Sequence, residues 1–140
     1  MNFFDIWVVV LYDNFYRMHE KGRKVIPWFH TCTTMSLFLI IFLSLLAKVL
    51  MDIFHNGYYE ITFKEASFLI LFLLLMAVIF FLVKRFYFNN SKHIALYTKF
   101  KTINSKERNL YKIFTYFVFC ILPLILIYIL YLDDIHFRKK

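Results

Sequence analysis

The stretch Pro27-Trp-Phe-His-Thr-Cys-Thr-Thr-Met-Ser36 places a histidine, a cysteine, three threonines and a serine directly ahead of the apolar run Leu37 to Ala47. These residue types can ligate a metal, titrate near neutral pH or line a polar pathway. At about 100° per residue, His30 and Cys32 project from a helix about 160° apart as the projection places them, so one ion cannot be shared between them. His30, Thr33, Thr34, Ser44, Lys48 and Asp52 instead fall along one line, continued through the apolar positions Leu37 and Ile41. That face is a candidate pore lining or helix interface. As an interface it offers small hydroxyl residues for close packing. As a conduit it places Thr33 and Thr34 at a mouth, Leu37 and Ile41 at a hydrophobic constriction that can dewet, and Ser44, Lys48 and Asp52 beyond. A second stripe comprises Tyr116, Cys120, Pro123 and Tyr131, beginning near Lys112 and passing Ile127, with Pro123 withholding a backbone donor from Phe119.

No catalytic constellation accompanies these faces. The acidic residues are scattered, the remaining histidines (His19, His55, His93 and His136) are dispersed, and the two cysteines, Cys32 and Cys120, stand in no CxxC or Cys/His spacing. The expectation is a non-enzymatic protein with no cofactor, no metal and no structural disulfide. His30, beside Trp28, reads as an interfacial anchor or hydrogen-bond partner, with pH sensing as the alternative.

The elements that must position these faces follow from composition. Of 140 residues 61% are hydrophobic and mean hydropathy is +0.62, which lies outside the soluble range. Two glycines and two prolines, with apolar runs that do not alternate, exclude a barrel, so the fold class is an all-α integral membrane protein. A bilayer core takes about 20 apolar residues as helix. Three segments supply them: 27–51, 66–88 and 111–132, the first started by Pro27 and the last closed by Asp133 and Asp134. Asn56-Gly57, Tyr58, Tyr59 and the Thr62-x-x-Glu65 capping box form a hairpin between the first two. The chain is a single membrane domain without repeats, and its N-terminus lacks the basic start and cleavage site of a signal peptide.

Residues 1–20 carry a narrow polar stripe of Asn2, Asp5, Asp13, Arg17 and Glu20 on an otherwise apolar helix. This predicts an interfacial helix lying along the membrane, with a helix docked on the spans or on a partner protein as the equal alternative. Twelve of the 17 Lys and Arg residues lie before the first span or between the second and third, and the positive-inside rule makes that side cytoplasmic, with the N-terminus in and the C-terminus out. The basic loop 89–110 has capping signals at Asn90 or Ser91 for a short helix bearing Ile94, Tyr97 and Phe100, and at Asn104-x-x-Glu107 ahead of the third span. Arg17, Lys21, Arg23, Lys24, Lys84, Arg85, Lys99 and Lys101 form a candidate regulatory surface for anionic lipids, whereas a nucleic-acid partner is not expected because membrane topology already accounts for these charges.

The short aromatic lead Phe15-Tyr16-Arg17 and the basic segment Ser105-Lys106-Glu107-Arg108 give a layout that resembles small uncharacterised three-span inner-membrane proteins of bacteroidete-like bacteria. The resemblance implies a fold and no activity. The functional expectation is a small homo-oligomer in the bacterial inner membrane, channel-like or membrane-permeabilising, of the kind used as a defence or toxin effector. The alternative is an accessory or immunity subunit packing against the spans of a larger membrane partner.

Overall fold

A computed structural model of the chain describes the backbone of residues 1–55 and 65–138, and the side chains of residues 1–47, 49–50 and 70–129. The elements in chain order are α1 (Phe3–Glu20), α2 (Pro27–His55), α3 (Glu65–Val83), a π-helical turn (Lys84–Asn89), α4 (Lys92–Thr102) and α5 (Ser105–Arg138). Among the described residues there is no strand. Three helices are long and apolar enough to cross a membrane, over Pro27–Ala47, Ile70–Asn89 and Ser105–Ile129. The chain is accordingly an all-α membrane protein. The interspan hairpin at Asn56, Gly57, Tyr58, Tyr59 and Thr62 lies outside the described residues.

The local signals act as their chemistry requires. Asp5 Oδ2 accepts the Asn2 N–H at 3.2 Å and starts α1 with a capping box. Gly22, at φ 77°, ends it: its N–H donates to the His19 carbonyl at 3.0 Å and the Arg23 N–H to the Met18 carbonyl at 3.1 Å. This pair of bonds is a Schellman closure, and the left-handed residue it needs is glycine. His19 Nδ1 meets the Val25 carbonyl at 2.9 Å, tying the connection to Pro27, where α2 begins. The short helix expected in the basic loop is α4, with Leu96 and Phe100 buried and Ile94 exposed, but the expected cap is not made: Ser91 precedes it at φ 54° and its side chain forms no capping bond. Asn104 stands at the head of α5, its carbonyl accepting the Arg108 N–H at 2.9 Å.

The position of α1 departs from an interfacial helix. Five consecutive residues, Trp7 to Leu11, are buried, which no helix lying with one face on a membrane can show. Phe15 stacks beside His30 and Trp7 packs on Phe38, so α1 runs antiparallel down α2. Phe38 lies eleven residues into α2, about 16 Å along its axis at 1.5 Å per residue. The N-terminal half of α1 thus descends beside the spans and is enclosed by α2, α4 and α5. The reason is that Asp5 and Asp13, which would face water on an interfacial helix, find cationic partners on the basic segment.

α2 packs against both α1 and α3. Thr31, Cys32, Met35, Ser36, Phe38 and Ile40 are buried. The Thr31 hydroxyl donates to the Pro27 carbonyl at 2.8 Å and the Ser36 hydroxyl to the Cys32 carbonyl at 2.7 Å, so both are satisfied within their own helix while their small size admits α1 closely. Trp7 is the centre of an aromatic cluster, edge-on to Phe3, Phe4, Phe38 and Phe119, and Phe38 and Phe119 stack at 4.0 Å. The rest of the apolar surface is compatible with lipid: only 11% of the second spanning window and 6% of the third is buried within the chain.

Candidate functional site

The densest polar constellation lies where α1, α4 and α5 meet. Asp13 is fully buried. Lys112 Nζ donates to its Oδ2 at 2.7 Å, Arg17 Nε lies 3.1 Å from Oδ2, and Lys101 Nζ stands 3.6 Å from Oδ1. Burial pushes this carboxyl up, but the Lys112 hydrogen bond and the charges of Lys112, Arg17 and Lys101 outweigh it and hold the group below the ordinary carboxylate value. Asp5 repeats the arrangement one end of the helix away, with Lys92 Nζ 3.0 Å from Oδ1. Here too burial pushes up, and the adjoining Lys92 ammonium and the Asn2 hydrogen bond bring the net shift below the ordinary value.

Aromatic rings fix the cations. Lys92 Nζ lies 4.7 Å from the centroids of both Phe86 and Tyr87, Lys101 stands 5.1 Å over Tyr97, and Lys84 5.0 Å over Trp28. Tyr12 adds contacts to Tyr16, His93 and Tyr97 between the two carboxylate centres. These contacts hold charge and position, and none sets a nucleophile beside a base. Among the described residues no three His, Cys, Asp or Glu side chains come together to hold a metal.

The face read from periodicity is divided among neighbours. His30, Thr33, Thr34 and Ile41 are partly exposed and Leu37 and Ser44 exposed; the His30 ring lies 5.4 Å from Phe15 of α1, and Ser44 lines a cavity with Leu75 and Ile79 of α3. His30 Nδ1 meets the Ile26 carbonyl at 3.0 Å, so the proton there belongs to the ring, and the Thr33 hydroxyl donates to the Phe29 carbonyl at 2.9 Å. Lys48 and Asp52 belong to α2, but their side chains, like that of Tyr131 on α5, lie outside the described residues. On α5, Tyr116 and Cys120 are exposed and Pro123 partly so within a continuous helix. Cys32 is buried and Cys120 exposed, and both are free thiols.

The basic surface divides as well. Lys21, Arg23, Lys24, Arg85 and Lys99 are exposed, whereas Arg17 and Lys101 are turned to Asp13 and Lys84 lies over Trp28. Lys92 and Lys112, which topology alone would explain as positive-inside charge, are the closest partners of the two buried acids. The signal that could have found them is the presence of two acids in an otherwise apolar N-terminal helix, since a buried carboxylate needs a cation. Comparison with protein-family models, curated proteins and solved structures finds no match to the chain.

Proposed function

We propose that the protein is a small, non-enzymatic membrane protein that works as a homo-oligomer, with the outer face of α2 as the contact between copies and, around a shared axis, a channel-like or permeabilising conduit. The observation that carries this reading is that the buried positions of α2 leave Thr33, Thr34 and Ile41 partly and Leu37 fully exposed, whereas His30 is met by Phe15 of α1 and Ser44 by Leu75 and Ile79 of α3. The interior of one chain is filled by Trp7, Phe38 and Phe119, so a permeation path belongs between chains. A defence or toxin effector of the bacterial inner membrane is the biological role in which such a conduit serves.

Dye release from liposomes containing the purified protein tests it. Leu37→Ser and Ile41→Ser wet the constriction and raise the leak about tenfold, as a hydrophobic gate requires. Absence of leak from either variant removes the conduit. The second reading, an accessory or immunity subunit against a larger partner, is favoured by the internal bonds of His30 and Thr33, which leave a face suited to dry helix packing. Mass measurement after mild extraction distinguishes a homo-oligomer from a complex.

The proposed orientation places the basic segment in the cytoplasm. A cysteine introduced at Lys99, which is exposed on α4, then reacts with an impermeant maleimide only after cells are opened, and labelling of intact cells reverses the topology.

A further inference from the structure

We propose that the seam between α2 and α3 at the basic end is a phospholipid-binding site, with Lys92 holding the lipid phosphate and the acyl chain lying along α3. A cavity of about 430 Å³ opens there between Asp5 and Lys92 at one end and Met35, Leu39, Leu82 and Phe86 at the other. A second cavity, of about 230 Å³, lies between Ile40, Ser44 and Ala47 of α2 and Leu75 and Ile79 of α3. Leu75, Ile79 and Leu82 are spaced i, i+4, i+7, so both cavities touch one face of α3, over about 10 Å of helix, with Phe86 following on the π-helical turn. That is an apolar slot with a polar mouth at the end of a spanning helix.

The mouth is built before any ligand arrives. Lys92 Nζ is fixed by the buried Asp5 carboxylate at 3.0 Å and by the Phe86 and Tyr87 rings. An ammonium carries three donors, and the Lys92 side chain is still 36% exposed, so donors remain for a phosphate oxygen. Asp5 balances the charge of Lys92. The site therefore recognises the phosphate itself and gives little advantage to a net-anionic headgroup over a zwitterionic one.

The full-length protein in mild detergent is offered phosphatidylethanolamine, phosphatidylglycerol or diacylglycerol of matched chains, and inorganic phosphate, with retention read by native mass spectrometry. One phospholipid is retained per chain, the two phospholipids within about threefold of each other, and diacylglycerol at least about tenfold less, the equivalent of one charge-assisted hydrogen bond. Lys92→Met abolishes the preference for phospholipid over diacylglycerol, and Lys92→Arg keeps it. Leu82→Trp, at an exposed position of the slot wall, lowers retention of both phospholipids about tenfold without changing the lipid-free melting temperature, by filling the slot. Equal retention of diacylglycerol and phospholipid, unchanged retention in Leu82→Trp, or displacement of the lipid by inorganic phosphate overturns the proposal.

Discussion

Replacing Asp13 by Asn lowers the unfolding free energy by about 2 to 3 kcal/mol, read as an earlier thermal transition by circular dichroism in detergent micelles. Removing one partner of a fully buried ion pair costs about 3 to 5 kcal/mol, because the remaining charge is stranded. The smaller figure applies because the Lys112 side chain retains 22% exposure and those of Arg17 and Lys101 more, so the stranded cations recover part of their hydration. Asn also keeps the shape of the side chain, which isolates the charge. Combining Asp13→Asn with Lys112→Met costs less than the sum of the two single changes by about 1 to 2 kcal/mol, the coupling expected of residues in direct contact. A change below about 0.5 kcal/mol for Asp13→Asn, the range of ordinary surface substitutions, shows that α1 is held by apolar packing alone.

The same carboxylates give stability a pH dependence with a definite sign. Asp5 and Asp13 both have folded values below the ordinary one, so their contribution is fully present above about pH 4, the unfolded carboxylate range, and is lost as pH falls through the depressed folded values. An acid titration of the melting temperature shows a steeper fall below pH 4 in the wild type than in Asp13→Asn.

Trp7→Ala is the second large effect, a loss of about 3 to 5 kcal/mol from truncating a buried aromatic. Trp7 is 7% exposed and its ring meets four phenylalanine rings drawn from α1, α2 and α5, so its removal opens a void at the one place where those helices converge. The indole Nε1 has no hydrogen-bond partner among the described residues. Trp7→Phe therefore gives up volume without breaking a polar contact and costs less than about 1.5 kcal/mol. Limited proteolysis of the segment 1–20 provides the structural readout: it becomes cleavable in Trp7→Ala and stays protected in Trp7→Phe. Comparable loss in both variants shows that the full indole volume, rather than an aromatic ring alone, holds these helices together.

The two substitutions bear on the parts of the molecule least legible in the chain order. The spans were legible because a run such as Ala66 to Val83 is uncharged over the length that marks a membrane span, and a helix is the structure that satisfies its backbone there. The helix carrying Phe100 begins after Ser91 without a side-chain capping bond, whereas the starts of α2 at Pro27 and of α5 near Asn104 follow from local chemistry acting within a few residues. These are short-range determinations, and the sequence by itself carried them.

The placement of α1 and the choice of face on α2 needed the tertiary structure. A polar stripe at helical spacing establishes that Asp5 and Asp13 share a side of α1, and says nothing about whether water or a lysine lies opposite. The partner of Asp13 is 99 residues away at Lys112, and no local pattern pairs them. On α2 both sides carry hydroxyls. Because a threonine or serine in a membrane helix can bond the carbonyl four residues back, as Thr31, Thr33 and Ser36 do, a hydroxyl does not mark the packed side. Periodicity thus aligned His30, Thr33, Thr34 and Ser44, while the packing of α1 and α3 on α2 decided that the chain buries Thr31, Cys32, Met35 and Ser36, sets His30 against Phe15 and leaves Thr33 and Thr34 partly exposed.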